Sequence, residues 1–427
     1  MRPRHLVVVS YFHPPFPSSG GNRWVAMAHY LRAAGHRVTV VASDAFGSLP
    51  DDEANSVVRA RDLKSAGLLR RVLRRGPLPE PGQGAAVERP PSSLLTKILV
   101  PDTHIVSWLP AAIRAVRRLV ARGDVDCVVT TGPPDSVHLV GLALGSRRPA
   151  WLADFRDGWS FEPLREPFPT ALQRRLDAAL ERRVVRRADA LVAATQPIAD
   201  DFRRRLGVNA VTVTNGYDPR LDAAAEKAIL PSLPEDRRLI VHTGALSGPR
   251  GRDARPFLEA LKRLADEPRV GSQIVLVQAG PTLPGDEPLL DALGQRGLAL
   301  TLGVVPRPSS IALQRRAAVL VLLTSDEVSQ STGKLYEYLA AGRPILALAA
   351  ENEAARIVSE TNTGVSVPPD DVDAIAAVLR RAAAGELELS YARRGAERYT
   401  YPAPAEAMAN VVESAISHRT AAPGARR

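Results

Sequence analysis

Cysteine, lysine and aromatic side chains are scarce in this sequence, and each shortage closes off a class of protein. One cysteine, Cys127, in 427 residues allows no internal disulfide. Its place inside the strand-like CVVTTG reads as a buried, unreactive thiol. Aromatic residues make up 5% and do not interleave with basic ones, so nothing points to a nucleic-acid partner. The eight histidines include no pair four residues apart, and with no cysteine cluster no structural zinc is expected. No apolar run approaches the roughly 18 residues that span a bilayer. The opening MRPRHLVVVSYF has too short an apolar stretch for a secretory signal, and proline follows it. A cytoplasmic protein is expected.

What is present is an ordinary globular composition, 45% apolar and 24% charged, in a chain long enough for two domains. Charge is uneven. Residues 1–210 hold 31 Lys and Arg against 20 Asp and Glu, while the remainder holds 25 against 26. The excess of the first half suits an anionic partner or membrane surface, or a solvated face. Only five basic residues are lysine, so coding bias toward arginine accounts for part of the abundance.

Short β-type runs alternate with helical patterns along the chain. HLVVVSY (5–11), HRVTVVAS (36–43), DCVVTTG (126–132), AWLADF (150–155), ALVAAT (190–195) and AVTVTNG (210–216) form one series. RLIVHTG (238–244), QIVLVQAG (273–280), LALTLGVV (298–305), AVLVLLT (318–324) and RPILALA (343–349) form another. Buried runs separated by helices predict parallel sheets covered on both faces. Two doubly wound α/β domains are therefore expected, divided by the Pro- and charge-rich stretch 219–238. Residues 76–93, rich in Pro and Gly, read as a loop.

Within the second series, STGKLYEYLAAG (331–342) opens a helix with Ser331, Thr332, Gly333 and Lys334. Unpaired N–H groups and the positive end of the helix dipole suit an anion there, and Lys334 adds a full charge. Glu337, one turn on, suits two sugar hydroxyls. A capped structural helix with a surface Lys–Glu pair fits the same letters. The motif is not a Walker loop, which needs a second glycine. Asp124-Val-Asp126 precedes a strand and reads as its cap, not as a metal clamp.

GKLYEYLAAGRPILA resembles the donor-binding signature of the retaining glycosyltransferases of family 4, which have the GT-B fold. SYFHPPFPSSGGNRWVAMAHYL resembles their Gly-rich loop after the first strand. VVTTGPPDSVHLVG followed by WLADFRDGWS resembles paired motifs of a bacterial branch, and HTGALSGPRGRDARPFLEAL resembles the opening of the donor domain. The likeness covers about residues 5–45 and 125–400, in order.

This resemblance implies two Rossmann-like domains facing a cleft: an acceptor domain over 1–220, a donor domain over 236–398, a helix over 399–418 crossing back, and a disordered tail at 419–427. It implies transfer of a sugar from a UDP- or GDP-sugar, with retention and without a metal ion or other cofactor, to a small-molecule or lipid-linked acceptor. Ser331 to Lys334, with Leu335 in the same turn, would hold the diphosphate and Glu337 the ribose. Gly20, Gly21 and Gly244 would admit the donor phosphates. Arg252 stands where the family has a phosphate-binding lysine, with Arg250 beside it. Val304 and Val305 stand where the base is met. Arg156 and Asp157 fall where the family reaches the transferred sugar or the acceptor, and with Lys334 they make up the expected catalytic set.

Two positions depart from the pattern. Ser329 replaces an acid that contacts sugar hydroxyls, with Asp326 and Glu327 nearby, and Ala245 replaces an arginine after Gly244. A sugar-nucleotide epimerase of the same architecture, or a non-catalytic sugar-nucleotide binding protein, are the alternative readings. Separately, AGLLRRVLRRG sets Leu68, Leu69, Val72 and Leu73 against Arg70, Arg71, Arg74 and Arg75. This basic amphipathic segment, residues 68–75, would either cover the domain or contact an anionic membrane peripherally at its cytoplasmic face.

Overall fold

The computed structural model describes residues 2–16, 19–63, 98–163, 166–248, 251–349 and 351–421. Residues 68–75 and the whole of the loop expected at 76–93 lie outside the described residues, as do Arg250 and the tail from 422. Contacts divide the chain into two units, Met1–Thr214 with Pro402–Arg427, and Asn215–Tyr401.

The first unit holds a seven-stranded parallel sheet. Its strands are β1 (His5–Ser10), β2 (Arg37–Ser43), β3 (Val57–Ala60), β4 (Cys127–Gly132), β5 (Ala150–Phe155), β6 (Ala190–Ala193) and β7 (Val211–Thr212), in the order β3-β2-β1-β4-β5-β6-β7. β1, β4 and β5 are buried along their whole length, which is why each carries an apolar run, LVVV, CVV and AWLA. Helices α1 (Ser19–Ala33), α2 (Leu109–Val120) and α3 (Ala171–Arg187) belong to this unit. So does the last helix, Ala403–Ala421, which packs on α1, β5 and β6 and is tied to the first strand by Arg4, bidentate to Glu413 at 2.8 Å.

The second unit holds six parallel strands: β8 (Arg238–Thr243), β9 (Ile274–Ala279), β10 (Ala299–Thr301), β11 (Val319–Leu323), β12 (Ile345–Leu348) and β13 (Gly364–Val367), ordered β10-β9-β8-β11-β12-β13. Helices α4 (Arg255–Leu264), α5 (Arg307–Arg316) and α6 (Gly333–Ala341) flank the site described below. Residues 215–235 belong to this unit, where Tyr217 bridges to Thr400 and packs into the core. Two strands had no counterpart among the expected runs. VVRA and GVSV are four-residue edge strands, mostly half-buried, so no apolar run marks them.

Each sheet reverses strand order beside a central strand, β1 against β4 and β8 against β11. Open α/β sheets bind ligands beyond the carboxyl ends of strands at such points. In the first unit a buried charge fixes this region. Asp154 is fully buried and accepts from Arg23 Nη2 (3.1 Å), Trp24 Nε1 (2.8 Å) and Thr131 Oγ1 (2.8 Å). Arg23, also buried, donates to the carbonyls of Val213 and Thr214 at 2.8 Å. Burial alone would raise the Asp154 carboxyl, but the Arg23 charge and these hydrogen bonds hold it below the usual carboxylate range. The network joins α1 to the ends of β4, β5 and β7. Arg23→Leu strands the carboxylate and is expected to cost about 3–5 kcal/mol in urea denaturation, the scale of breaking a buried pair; a loss below about 1 kcal/mol would show the pair to be dispensable.

Candidate functional site

The second unit's site grows from the ends of β8 and β11. Gly244, next after β8, has φ +89°, and a Cβ on Gly280 would lie 2.3 Å from its carbonyl carbon. Both positions therefore need glycine, the first for its dihedral and the second for close approach of two backbones. Gly244 is held from both sides, its N–H donating to Ala279 O (2.6 Å) and its carbonyl accepting from Gln278 Nε2 (2.7 Å).

Lys334 fills the space this glycine leaves open. A Cβ on Gly244 would stand 2.6 Å from both the Cε and the Nζ of Lys334. The ammonium lies 3.4 Å from Nε2 of the buried His242, whose Nδ1 is 2.8 Å from Val321 O. Burial first, and then the charge of Lys334, push the His242 imidazole down to about 3, so the ring is neutral near pH 7. Both ring nitrogens face a carbonyl, Nε2 lying 3.1 Å from Ala245 O; with Nδ1–H donating to the nearer Val321, Nε2 accepts from the ammonium, which also reaches Ala245 O at 3.5 Å. Burial, reinforced by the Arg252 charge and opposed by Glu337, pushes Lys334 down to about 7.

Lys334 also belongs to the first turn of α6. Thr332, the N-cap residue, is extended (φ −82°, ψ 156°), and its hydroxyl is buried without a partner. The N–H groups of Gly333 and Lys334 precede any intrahelical acceptor. Open space surrounds the position a Gly333 Cβ would take. Ser331 Oγ is 2.8 Å from Tyr336 Oη, and Leu335 is fully buried in the core beneath the turn.

Glu337 is engaged on both oxygens. Oε1 accepts from Arg307 Nη2 and Oε2 from Gln314 Nε2, each at 3.0 Å. Gln314 is fully buried and also donates to Thr243 Oγ1 (3.1 Å), while Tyr338 Oη accepts from Thr243 N (3.1 Å). The end of β8, α5 and α6 are thus joined through the Gln314 amide. Sequence reading had picked none of Arg307, Gln314, His242 or Tyr338. The one usable signal was Arg307, two residues after Val305 on the first turn of a helix.

Around this centre the other expected residues take varied places. Arg252 folds back on its own loop, donating to Ser247 O (3.0 Å), with its guanidinium where a Gly248 Cβ would be; burial lowers its pKa. The Asp326 carboxylate lies against Gly251, Ser329 is half-buried, and Val304 is half-exposed while Val305 packs on the core. A cavity of about 820 Å³, lined in part by Gly251, Asp326, Val367 and Asp370, adjoins the ends of β11 to β13 but does not include Lys334 or Glu337.

In the first unit, Gly20 and Gly21 form the first turn of α1, and Arg156 and Asp157 follow β5 directly. Arg156 is buried, and its Nε and Nη2 donate to Gly132 O (2.8 Å) and Pro133 O (2.6 Å). Two of its nitrogens thus clamp the loop after β4, and Nη1 has no partner. Burial lowers its pKa, against the pull of Asp157. Cys127 is buried, and desolvation pushes its thiol up to about 12. Asp126 accepts from His5 N (2.7 Å) and Asp124 pairs with Arg37, both at the amino end of β4, away from the strand ends that carry the site.

Residues 20–216 match the family described as Glycosyl transferase 4-like domain, and residues 237–384 match that described as Glycosyl transferases group 1, together well over half of the chain. The chain belongs to the glycosyltransferases. No curated protein matches this glycosyltransferase. Among solved structures it is similar to sucrose-phosphate synthase from Thermosynechococcus elongatus, at 18% identity and TM-score 0.65 over 97% of this chain and 99% of that one. It is also similar to Anabaena HepE in complex with UDP-glucose, at 16% identity and TM-score 0.56 over 96% and 99%. A third is a proposed UDP-N-acetylglucosamine 2-epimerase from Listeria monocytogenes, at 14% identity and TM-score 0.56 over 97% of each chain. These likenesses place the fold of this glycosyltransferase as GT-B. Among the described residues, no helix is long and apolar enough to cross a membrane.

The geometry around Lys334 has a pH signature. With its pKa near 7 in the free protein, the ammonium form dominates below that value. A bound phosphate would favour the ammonium and raise the pKa, so binding above pH 7 must take up a proton. Affinity for a nucleoside diphosphate is expected to fall by up to about tenfold per pH unit from 7 upward. Calorimetry in buffers of different ionisation enthalpy measures the proton; no uptake at pH 8 would count against contact with Lys334.

Proposed function

We propose that this glycosyltransferase moves a sugar from a nucleoside diphosphate donor, a UDP- or GDP-sugar, to an acceptor with retention of anomeric configuration, as the family 4 enzymes do. The observation that carries the reading is the seating of Lys334 over Gly244 at the open N-terminus of α6, one turn before Glu337. An anion placed there meets N–H groups, the helix dipole and a lysine that gains a proton on contact. Glu337, oriented by Gln314 and Arg307, is one turn away and suits the two hydroxyls of a ribose.

When the anomeric C–O bond breaks, its electron pair passes to the diphosphate. Lys334, the first-turn N–H groups and Arg252 would stabilise that charge without a metal ion. The acceptor oxygen would form the new bond on the face the diphosphate leaves, and its proton would pass to the departing diphosphate. Arg156 would act mainly by holding the loop after β4, with Asp157 next to it at the end of β5. An epimerase would need an acid/base pair at the sugar. Of the histidines, His242 accepts from Lys334 and His138 is fully buried under Phe155, pushed down to about 3 mainly by burial. Product analysis decides among a transferred sugar, an epimerised donor and no turnover.

Glu337→Ala is expected to weaken nucleotide binding by about 1–3 kcal/mol, the scale of losing charged hydrogen bonds. The mutant should also lose discrimination between ribose and deoxyribose nucleotides. Unchanged affinity would refute the ribose assignment. Lys334→Ala should lower turnover by about 10²-fold or more, as for loss of an oxyanion donor, while saturating EDTA leaves the wild type active. Strict dependence on a divalent cation would overturn the metal-free account.

A further inference from the structure

Helix α3 inverts the usual placement of charge on a surface helix. Its two acids face inward and are buried. Asp177 accepts from Trp159 Nε1 (2.9 Å), while Glu181 pairs with Arg205 (2.7 Å) and accepts from Ser160 Oγ (2.6 Å). What the helix offers to solvent is leucine and arginine. Leu172 is 76% exposed and Leu176 50%. Arg175, Arg182, Arg183 and Arg186 are exposed, and none has an ion-pair partner among the described residues.

These six positions share one face. At about 100° per residue they fall within an arc of about 120° that contains no acid. A capping box between Thr170 and Gln173 fixes the helix start, so Leu172 stands on the first turn. Gln173 Nε2 also donates to the carbonyl of Ile98 (3.2 Å), whose side chain is 54% exposed. The apolar end of the stripe is therefore wider than the helix itself.

We propose that the outer face of α3 docks this glycosyltransferase on an anionic lipid bilayer. Acidic protein or nucleic acid would satisfy the guanidinium groups but leave Leu172 and Leu176 in water. A bilayer takes both: the leucines enter the acyl boundary, and the arginines, on flexible stems, stay level with the phosphates. This docking is independent of the donor assignment, and it uses residues remote in sequence from 68–75.

Sedimentation of the full chain with vesicles tests the proposal. Binding is expected to vesicles of phosphatidylcholine with phosphatidylglycerol, weakening as salt rises, and not to phosphatidylcholine alone. Changing Arg175, Arg182, Arg183 and Arg186 to Gln should lower binding by roughly 100-fold or more. Leu172→Ser with Leu176→Ser, at unchanged charge, should lower it by roughly tenfold. The circular dichroism spectrum and thermal midpoint should stay at the wild-type level in both variants and serve as the folding control. If the fourfold variant fails that control, Arg182→Gln with Arg186→Gln takes its place, with a loss of roughly tenfold expected. Absence of binding to anionic vesicles would overturn the proposal. So would arginine dependence with full binding by the leucine variant, which marks a generic polyanion surface.

Discussion

An ammonium group set into a half-buried site, with no carboxylate in ion-pair reach among the described residues, is held there against its preference for water, and much of the second unit is arranged around it. Gly244 lacks the side chain that would occupy the place of Nζ, and its left-handed dihedral turns the chain away from β8. Gly280 lets β9 close on that turn. His242, kept neutral by burial, accepts from the ammonium without adding a second charge. The same lysine lies in the first turn of α6, so the helix dipole and the desolvated charge act at one point. An arrangement this unfavourable in the empty state is the kind that an anion relieves.

The sheets were legible because most of their strands are buried on both faces, which leaves runs such as LVVV in β1 and IVLV in β9 with no polar interruption. Edge strands escaped for the opposite reason: VVRA and GVSV meet solvent on one side and carry no continuous apolar signal. In the site, Lys334 and Glu337 could be singled out because they share one turn of one helix. Their partners could not. His242 sits inside a strand and Gln314 inside a helix, and only the packing of β8, α5 and α6 brings them to the carboxylate and the ammonium. Arg156 carries a contact that no motif shows. The resemblance implies a residue near the transferred sugar or the acceptor, and two of its nitrogens are occupied by carbonyls of the loop after β4.

The two units reach rigidity by different means. In the second, a neutral hydrogen-bonded chain of Thr243, Gln314 and Tyr338 fixes the strand end, and charge is reserved for Glu337, Arg307 and Lys334. In the first, a fully desolvated Arg23–Asp154 pair does the fixing, satisfied on nearly every side by Trp24, Thr131 and two carbonyls. Such a pair adds little net stability over well-packed apolar groups, but it tolerates few alternative geometries.

The last helix, Ala403–Ala421, belongs to the unit that the first residues begin, so the second unit is an insertion in the chain of the first. Synthesis proceeds from the other end. As the chain emerges, the first sheet can form while the surface that α1, β5 and β6 will give to the final helix stays uncovered, and Glu413 is not yet there for Arg4. The second unit, contiguous in sequence, can close entirely before that happens. The half made first is therefore the half that matures last, and its exposed apolar surface must wait until that helix has been made.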